Sequence, residues 1–98
     1  MLDTLLLLLN IDKNDVRANE ILKYYINKAT QYFLSETNLT IVPTSAGDII
    51  IELVILMWNK MGSEGIYSEY HNGIIYKWKR DISARLRRQI LSYRVITW

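Results

Sequence analysis

Few side chains in this sequence could take part in catalysis or metal binding. His71 is the sole histidine, and the sequence contains no cysteine. Ser63 and Ser68 lack the Gly-x-Ser-x-Gly setting of a hydrolase nucleophile and have no candidate base other than that histidine. The four glycines match neither the Walker pattern nor the dinucleotide fingerprint. We therefore predict that the protein is not an enzyme and has no catalytic, metal or cofactor-binding residues.

Charged side chains are distributed unevenly and indicate docking instead. Residues 77–98 carry seven basic residues and one acidic residue, a net charge of +6, whereas residues 1–76 carry five basic and nine acidic residues, a net charge of −4. Such a chain suits docking on an acidic protein or head to tail on its own copies. The alternative is nucleic-acid binding, in which arginines reach phosphates while Tyr76 and Trp78 stack on bases. The candidate docking arginines are Arg80, Arg85, Arg87, Arg88 and Arg94.

Length and composition predict one globular domain over residues 1–98, since half of the residues are hydrophobic and 22% are charged. A domain of this size buries only about 60–65% of its unfolded surface, so partner subunits could add to its stability. The run Leu5–Leu9 follows Asp3 rather than a basic residue, which favours a short helix over a signal peptide. The apolar stretch Ile49–Trp58 is shorter than the roughly 20 residues of a membrane span.

Helical periodicity predicts three helices before residue 62. The first covers about residues 2–9. The second is amphipathic, covers about residues 14–36 and includes Leu22 on its buried face, with Asp12, Asn14 or Asp15 as its cap. The third begins near Thr44 or Ser45, which would cap it. Because its apolar residues surround the helix, we expect burial on nearly all sides, in part against a neighbouring subunit.

A loop and a closing helix complete the predicted fold. Asn72-Gly73 favours a tight hairpin turn within the segment 62–79. The closing helix starts at Asp81 or Ser83 and places Ile82, Leu86 and Ile90 on one face. The predicted fold is thus mainly α, a small bundle of about four helices with a β-hairpin or extended loop between the last two. The candidate docking residues of that loop are Ser63, Glu64, Ile66, Tyr67, Glu69, Tyr70, Tyr76 and Trp78.

The element order and several loose motifs resemble those of the head-tail connector (adaptor) proteins of tailed bacteriophages. The opening motif is Asn10-Ile11-Asp12, followed along the amphipathic helix by the run from Ala29 to Phe33. The middle and closing motifs are Met57-Trp58-Asn59-Lys60, the segments 62–69 and 73–78, Arg80-Asp81-Ile82 and the segment 87–94. The segment 38–45 departs from the family because it is short, with no large insertion between helices.

This resemblance implies a structural role. Connector proteins form a ring of roughly a dozen copies below the portal, continue the DNA channel and join capsid to tail. The implied partners are other copies of the chain, the portal protein, the next neck or tail-completion protein and DNA that passes without sequence recognition. No membrane, catalytic residue or cofactor is implied, and the expected location is the virion neck, after synthesis in the bacterial cytoplasm. A small nucleic-acid-binding regulator that uses the basic closing helix is the alternative.

Overall fold

The computed structural model describes residues 1–61 and 81–95. Within these residues the chain forms four α-helices and one 3-10 turn. The helices are α1 (Leu2–Leu8), α2 (Val16–Thr37), α3 (Gly47–Met61) and α4 (Ala84–Leu91), and the 3-10 turn (Thr44–Ala46) leads directly into α3. This confirms the predicted mainly α bundle of about four helices. The predicted hairpin turn at Asn72-Gly73 lies outside the described residues.

Short polar side chains determine where α2 and α4 begin. Of the three candidate caps of α2, Asp15 takes the role, and its carboxylate accepts a hydrogen bond from the Ala18 backbone N–H at 3.0 Å. In α4 the hydroxyl of Ser83 accepts one from the Leu86 N–H at 3.1 Å. Both contacts satisfy backbone donors that the first helical turn leaves without partners.

The start of α3 differs from the prediction that Thr44 or Ser45 caps it. Both residues lie inside the 3-10 turn, whose preceding residue is Pro43 with a φ of −62°. Proline fixes this φ, and its carbonyl oxygen accepts the Ala46 N–H at 2.9 Å, which closes the turn. The chain therefore enters α3 through a tighter helical turn rather than through a side-chain cap.

The core lies where α1, α3 and α4 pack against α2. Trp58, near the end of α3, contacts Tyr25 in the first half of α2 with ring centroids 6.3 Å apart, so α3 runs back along α2. Tyr93, just after α4, contacts Phe33 in the second half of α2 at 5.6 Å. The fully buried side chains of α2 are Leu22, Tyr25, Ala29, Phe33 and Thr37. The long helix α2 is thus the scaffold on which the other three helices are positioned.

Within one copy of the chain, α3 is only partly covered, and its burial against a neighbouring subunit stays a prediction. Ile50, Leu53, Val54 and Met57 are fully buried. Ile51, Ile55, Leu56 and Trp58, on its other sides, are only half-buried. Among the described residues, α3 packs mainly against α2, α4 and the 3-10 turn, which cover only part of its surface. None of the helices in residues 1–61 and 81–95 has the length and apolar character needed to cross a membrane.

Candidate docking surfaces

Only part of the predicted site lies within the described residues. The loop candidates Ser63, Glu64, Ile66, Tyr67, Glu69, Tyr70, Tyr76 and Trp78 and the arginine Arg80 fall outside the described ranges. The predicted core residue Leu22 has no exposed surface. The described candidates for docking are therefore the four arginines on α4 and after it, Arg85, Arg87, Arg88 and Arg94.

The apolar face of α4 determines the directions of its arginines. Leu86 and Ile90 of α4 and Ile82 just before it recur every four residues and are buried in the core cluster. At about 100° per residue, Arg88 lies on the opposite side of the helix, whereas Arg85 and Arg87 lie on its two flanks. The arginines thus occupy three different environments.

The two flanking arginines interact with neighbouring helices. Arg85 forms an ion pair with Glu52 of α3, with Nη2 and Oε2 3.0 Å apart. Arg87 lies near Tyr32 of α2, whose pKa is raised above its usual value of 10.0 by burial and by the nearby Glu36 carboxylate. The positive charge of Arg87 acts in the opposite direction and lowers that pKa. Both arginines are thus engaged within the bundle.

Arg88 and Arg94 remain available for a partner. Both side chains are exposed, and neither forms an ion pair or side-chain hydrogen bond with another residue of the described ranges. Leu91, one helical turn after Arg88, has 42% of its surface exposed. The outer side of α4 and the residues that follow it therefore combine two unpaired positive charges with an apolar side chain.

Two hydrogen bonds hold this region at the end of α2. The Val95 N–H donates to the Thr37 carbonyl oxygen at 2.8 Å, and the Asn38 side-chain amide donates to the Val95 carbonyl oxygen at 3.1 Å. Asn38 ends α2 in the left-handed conformation, with a φ of 60°. Asparagine tolerates that conformation better than most residues. Arg94, adjacent to Val95, is thereby positioned at the C-terminal end of α2.

A second exposed surface lies on α1, where sequence reasoning identified no functional residue. Leu5 and Leu6 are buried against the bundle, but Leu7 and Leu8 are 82% and 58% exposed. Asp3, one helical turn before Leu7, is also exposed. The sequence did indicate that some leucines of α1 would be exposed. The run Leu5–Leu9 places leucines on all sides of a helix, so they cannot all face one core.

Clusters of titratable groups are lacking in the described part of the chain. Among residues 1–61 and 81–95, no group of three or more His, Cys, Asp and Glu side chains could hold a metal ion. The described clefts are open and shallow, and one of them lies beside Leu7, between Asp3 and Lys13. The candidate functional features of the described residues are therefore the exposed helix faces.

A small helical bundle with such exposed faces has the surfaces of a protein that assembles with other proteins. A comparison with known families gives the same result in more detail. The family model of phage gp6-like head-tail connector proteins matches residues 1–94 of the 98-residue chain. The chain therefore belongs to this family, which confirms the resemblance seen in its motifs. No curated protein and no solved structure gave a significant match.

Membership of this family defines the general role of the protein. The family is one of structural phage proteins and is not a known class of enzyme. Its members connect head to tail, which implies assembly with other phage head and tail proteins.

Proposed function

We propose that the protein is a structural adaptor subunit of a phage or prophage neck. Its 98 residues form one domain, and roughly a dozen copies form a ring below the portal that continues the DNA channel. The observation that carries this proposal is the match of residues 1–94 to the head-tail connector family. The partners are other copies of the chain, the portal protein and the next neck or tail-completion protein, and DNA passes through the ring without sequence recognition.

The exposed arginines supply one docking surface for this assembly. Arg88 and Arg94 have no acidic partner within the described residues, so an acidic surface of another subunit can neutralise them. Arginine is enriched in protein interfaces, where its planar group binds carboxylates through two parallel hydrogen bonds. The loop residues Tyr67, Tyr70, Tyr76 and Trp78, with their polar neighbours, are proposed as a second docking surface because aromatic side chains are also enriched there.

A paired experiment tests this function against the nucleic-acid-binding alternative. Purified protein is mixed with the portal of the same phage and imaged by electron microscopy, and binding to a short DNA duplex is measured in the same buffer. We expect a ring of added density on the portal and only weak, salt-sensitive duplex binding. Tight duplex binding together with a bare portal would overturn the adaptor role in favour of a regulator.

Arginine variants refine the test. The double substitution of Arg88→Gln and Arg94→Gln should prevent ring formation on the portal and leave folding unchanged, because both side chains are exposed. Arg85→Gln is the matched control on the same helix. Arg85 already forms an exposed ion pair with Glu52 of its own subunit, so its replacement should have a much smaller effect on ring formation. Equal loss in both variants would contradict the assignment of docking to Arg88 and Arg94.

A further inference from the structure

Two small exposed surfaces with complementary properties lie on different helices of the bundle. The leucine surface consists of Asp3, Leu7 and Leu8 on α1, and Asp3 and Leu7 are four residues apart on the same side of the helix. The arginine surface consists of Arg88 and Leu91 on α4, three residues apart, together with Arg94. Each surface thus combines apolar side chains with charge of one sign.

The local charges of the two surfaces are opposite. Residues 1–12 contain two acidic residues and no basic one, whereas residues 82–95 contain four arginines and no acidic residue. Two of these arginines interact with neighbouring helices, which leaves Arg88 and Arg94 unpaired among the described residues. Asp3 likewise has no ion pair within the described ranges. Lys13 lines the same cleft as Asp3 and Leu7, and it is the one basic residue among the residues that line this cleft.

The scaffold helix separates these surfaces. The turn between residues 9 and 15 joins α1 to the start of α2, and α1 packs on α2. The residues after α4 are held at the end of α2 by the Val95–Thr37 hydrogen bond. The 22 residues of α2 span about 33 Å at 1.5 Å per residue. Two different surfaces toward opposite ends of one subunit are what a head-to-tail, heterologous contact requires.

We propose that the leucine surface of one copy binds the arginine surface of the next copy. Asp3 pairs with Arg88 of the second copy, and Leu7 and Leu8 pack against its Leu91. This inference rests on the proposed function, because it assigns the contact between neighbouring subunits of the ring. Two helices of 7 and 8 residues are only about 10–12 Å long, so the contact is far smaller than the roughly 800 Å² per partner of a stable pair. Each contact is therefore weak alone, and it stabilises the ring because closure makes many identical contacts act together.

Site-specific cross-linking tests this contact even when it is weak. The chain has no cysteine, so each introduced thiol is unique. A Leu8→Cys chain is mixed with a Leu91→Cys chain and treated with a short bifunctional maleimide. Asn27→Cys is the control because its side chain is exposed on the side of α2 opposite the core. Heterodimers of the Leu8 and Leu91 variants should form about tenfold or more faster than dimers with the control, because a contact raises the local concentration of the two thiols.

Each outcome decides the proposal. Preferential heterodimers, and a ladder of higher oligomers from a chain that carries both cysteines, support a head-to-tail contact. Yields equal to the Asn27 control would overturn it. Faster Leu8–Leu8 dimers would also overturn it, because they would show that α1 pairs symmetrically with itself.

A charge exchange tests the pairing of Asp3 with Arg88. Asp3→Lys in the Leu8→Cys chain, or Arg88→Glu in the Leu91→Cys chain, should each slow heterodimer formation because like charges then meet. The two altered chains mixed together should recover most of the rate, as expected for residues in direct contact. Lys13→Gln should increase the rate, since it removes the opposing charge. Failure of the exchanged pair to recover would contradict the assigned contact.

This experiment also separates the inference from the proposed function. Rings on the portal with no preferential Leu8–Leu91 cross-link would refute the subunit contact and leave the adaptor role intact. A bare portal would refute the adaptor role itself. Circular dichroism of every variant checks that the bundle has folded, and none of the substituted side chains is buried.

Discussion

Replacement of Leu53 by alanine should be among the most damaging single changes in the bundle. Leu53 lies in the middle of α3, has no exposed surface and belongs to the single buried cluster of the described residues. Truncation of a fully buried leucine costs about 2–5 kcal/mol, because apolar contacts are lost and a cavity remains. A domain of this size has a total unfolding free energy of roughly 5–15 kcal/mol. The single substitution could therefore remove a third or more of the stability.

Ile55→Ala provides the matched control on the same helix. Ile55 is two residues away and only half-buried, so its truncation exposes less new apolar surface and should cost about 1–2 kcal/mol. A loss of 1 kcal/mol lowers the melting temperature of a 60–100-residue domain by about 4–8 °C. Leu53→Ala should thus lower the melting temperature by about 8–40 °C and Ile55→Ala by about 4–16 °C.

Thermal and urea unfolding of the isolated subunit, followed by circular dichroism, measures both effects. Equal losses for the two variants would contradict the burial difference between Leu53 and Ile55. A loss below about 1 kcal/mol for Leu53→Ala would refute the placement of this residue in the core. Loss of ring formation by Ile55→Ala with an unchanged melting temperature would show that Ile55 faces a neighbouring subunit.

Three further predictions concern single positions. Asp15→Ala removes the cap of α2 and should lower the unfolding free energy by about 1 kcal/mol in urea, whereas Asn14→Ala should have little effect. Asn38→Ala should lower the unfolding free energy by about 1–2 kcal/mol, because alanine is strained in the left-handed conformation and cannot donate the hydrogen bond to the Val95 carbonyl oxygen. Asn38→Gly should recover the part of this loss that comes from backbone strain. The raised pKa of Tyr32 means that the unfolded phenol loses its proton first, so stability falls as the pH rises through about 10. Unfolding measurements at pH 8 and above pH 10 should show this extra loss in the wild type and a smaller loss in Tyr32→Phe.

The features predicted correctly are those that neighbouring residues determine. The apolar repeat containing Leu22 was sufficient to place α2, and the short side chains before Val16 and Ala84 marked two helix starts. The order of elements and the motifs were sufficient to identify the family. The start of α3 was predicted wrongly because two local preferences compete there. The hydroxyls of Thr44 and Ser45 favour a side-chain cap, but the fixed φ of Pro43 and its hydrogen bond with the Ala46 N–H form a 3-10 turn instead.

Which arginines of α4 are free to bind a partner was decided by the tertiary structure. In the sequence, Arg85, Arg87 and Arg88 are equivalent basic residues of one amphipathic helix. Packing of α4 against α2 and α3 brings Glu52 to Arg85 and Tyr32 to Arg87, and it leaves Arg88 without a partner among the described residues. Which leucines of the run Leu5–Leu9 are exposed was decided in the same way, by the side of α1 that meets α2. Helical periodicity is a property of adjacent residues, whereas the partner of a side chain comes from another part of the chain. The sequence alone therefore determined the helices, and the fold determined which of their charged and apolar side chains are exposed and unpaired.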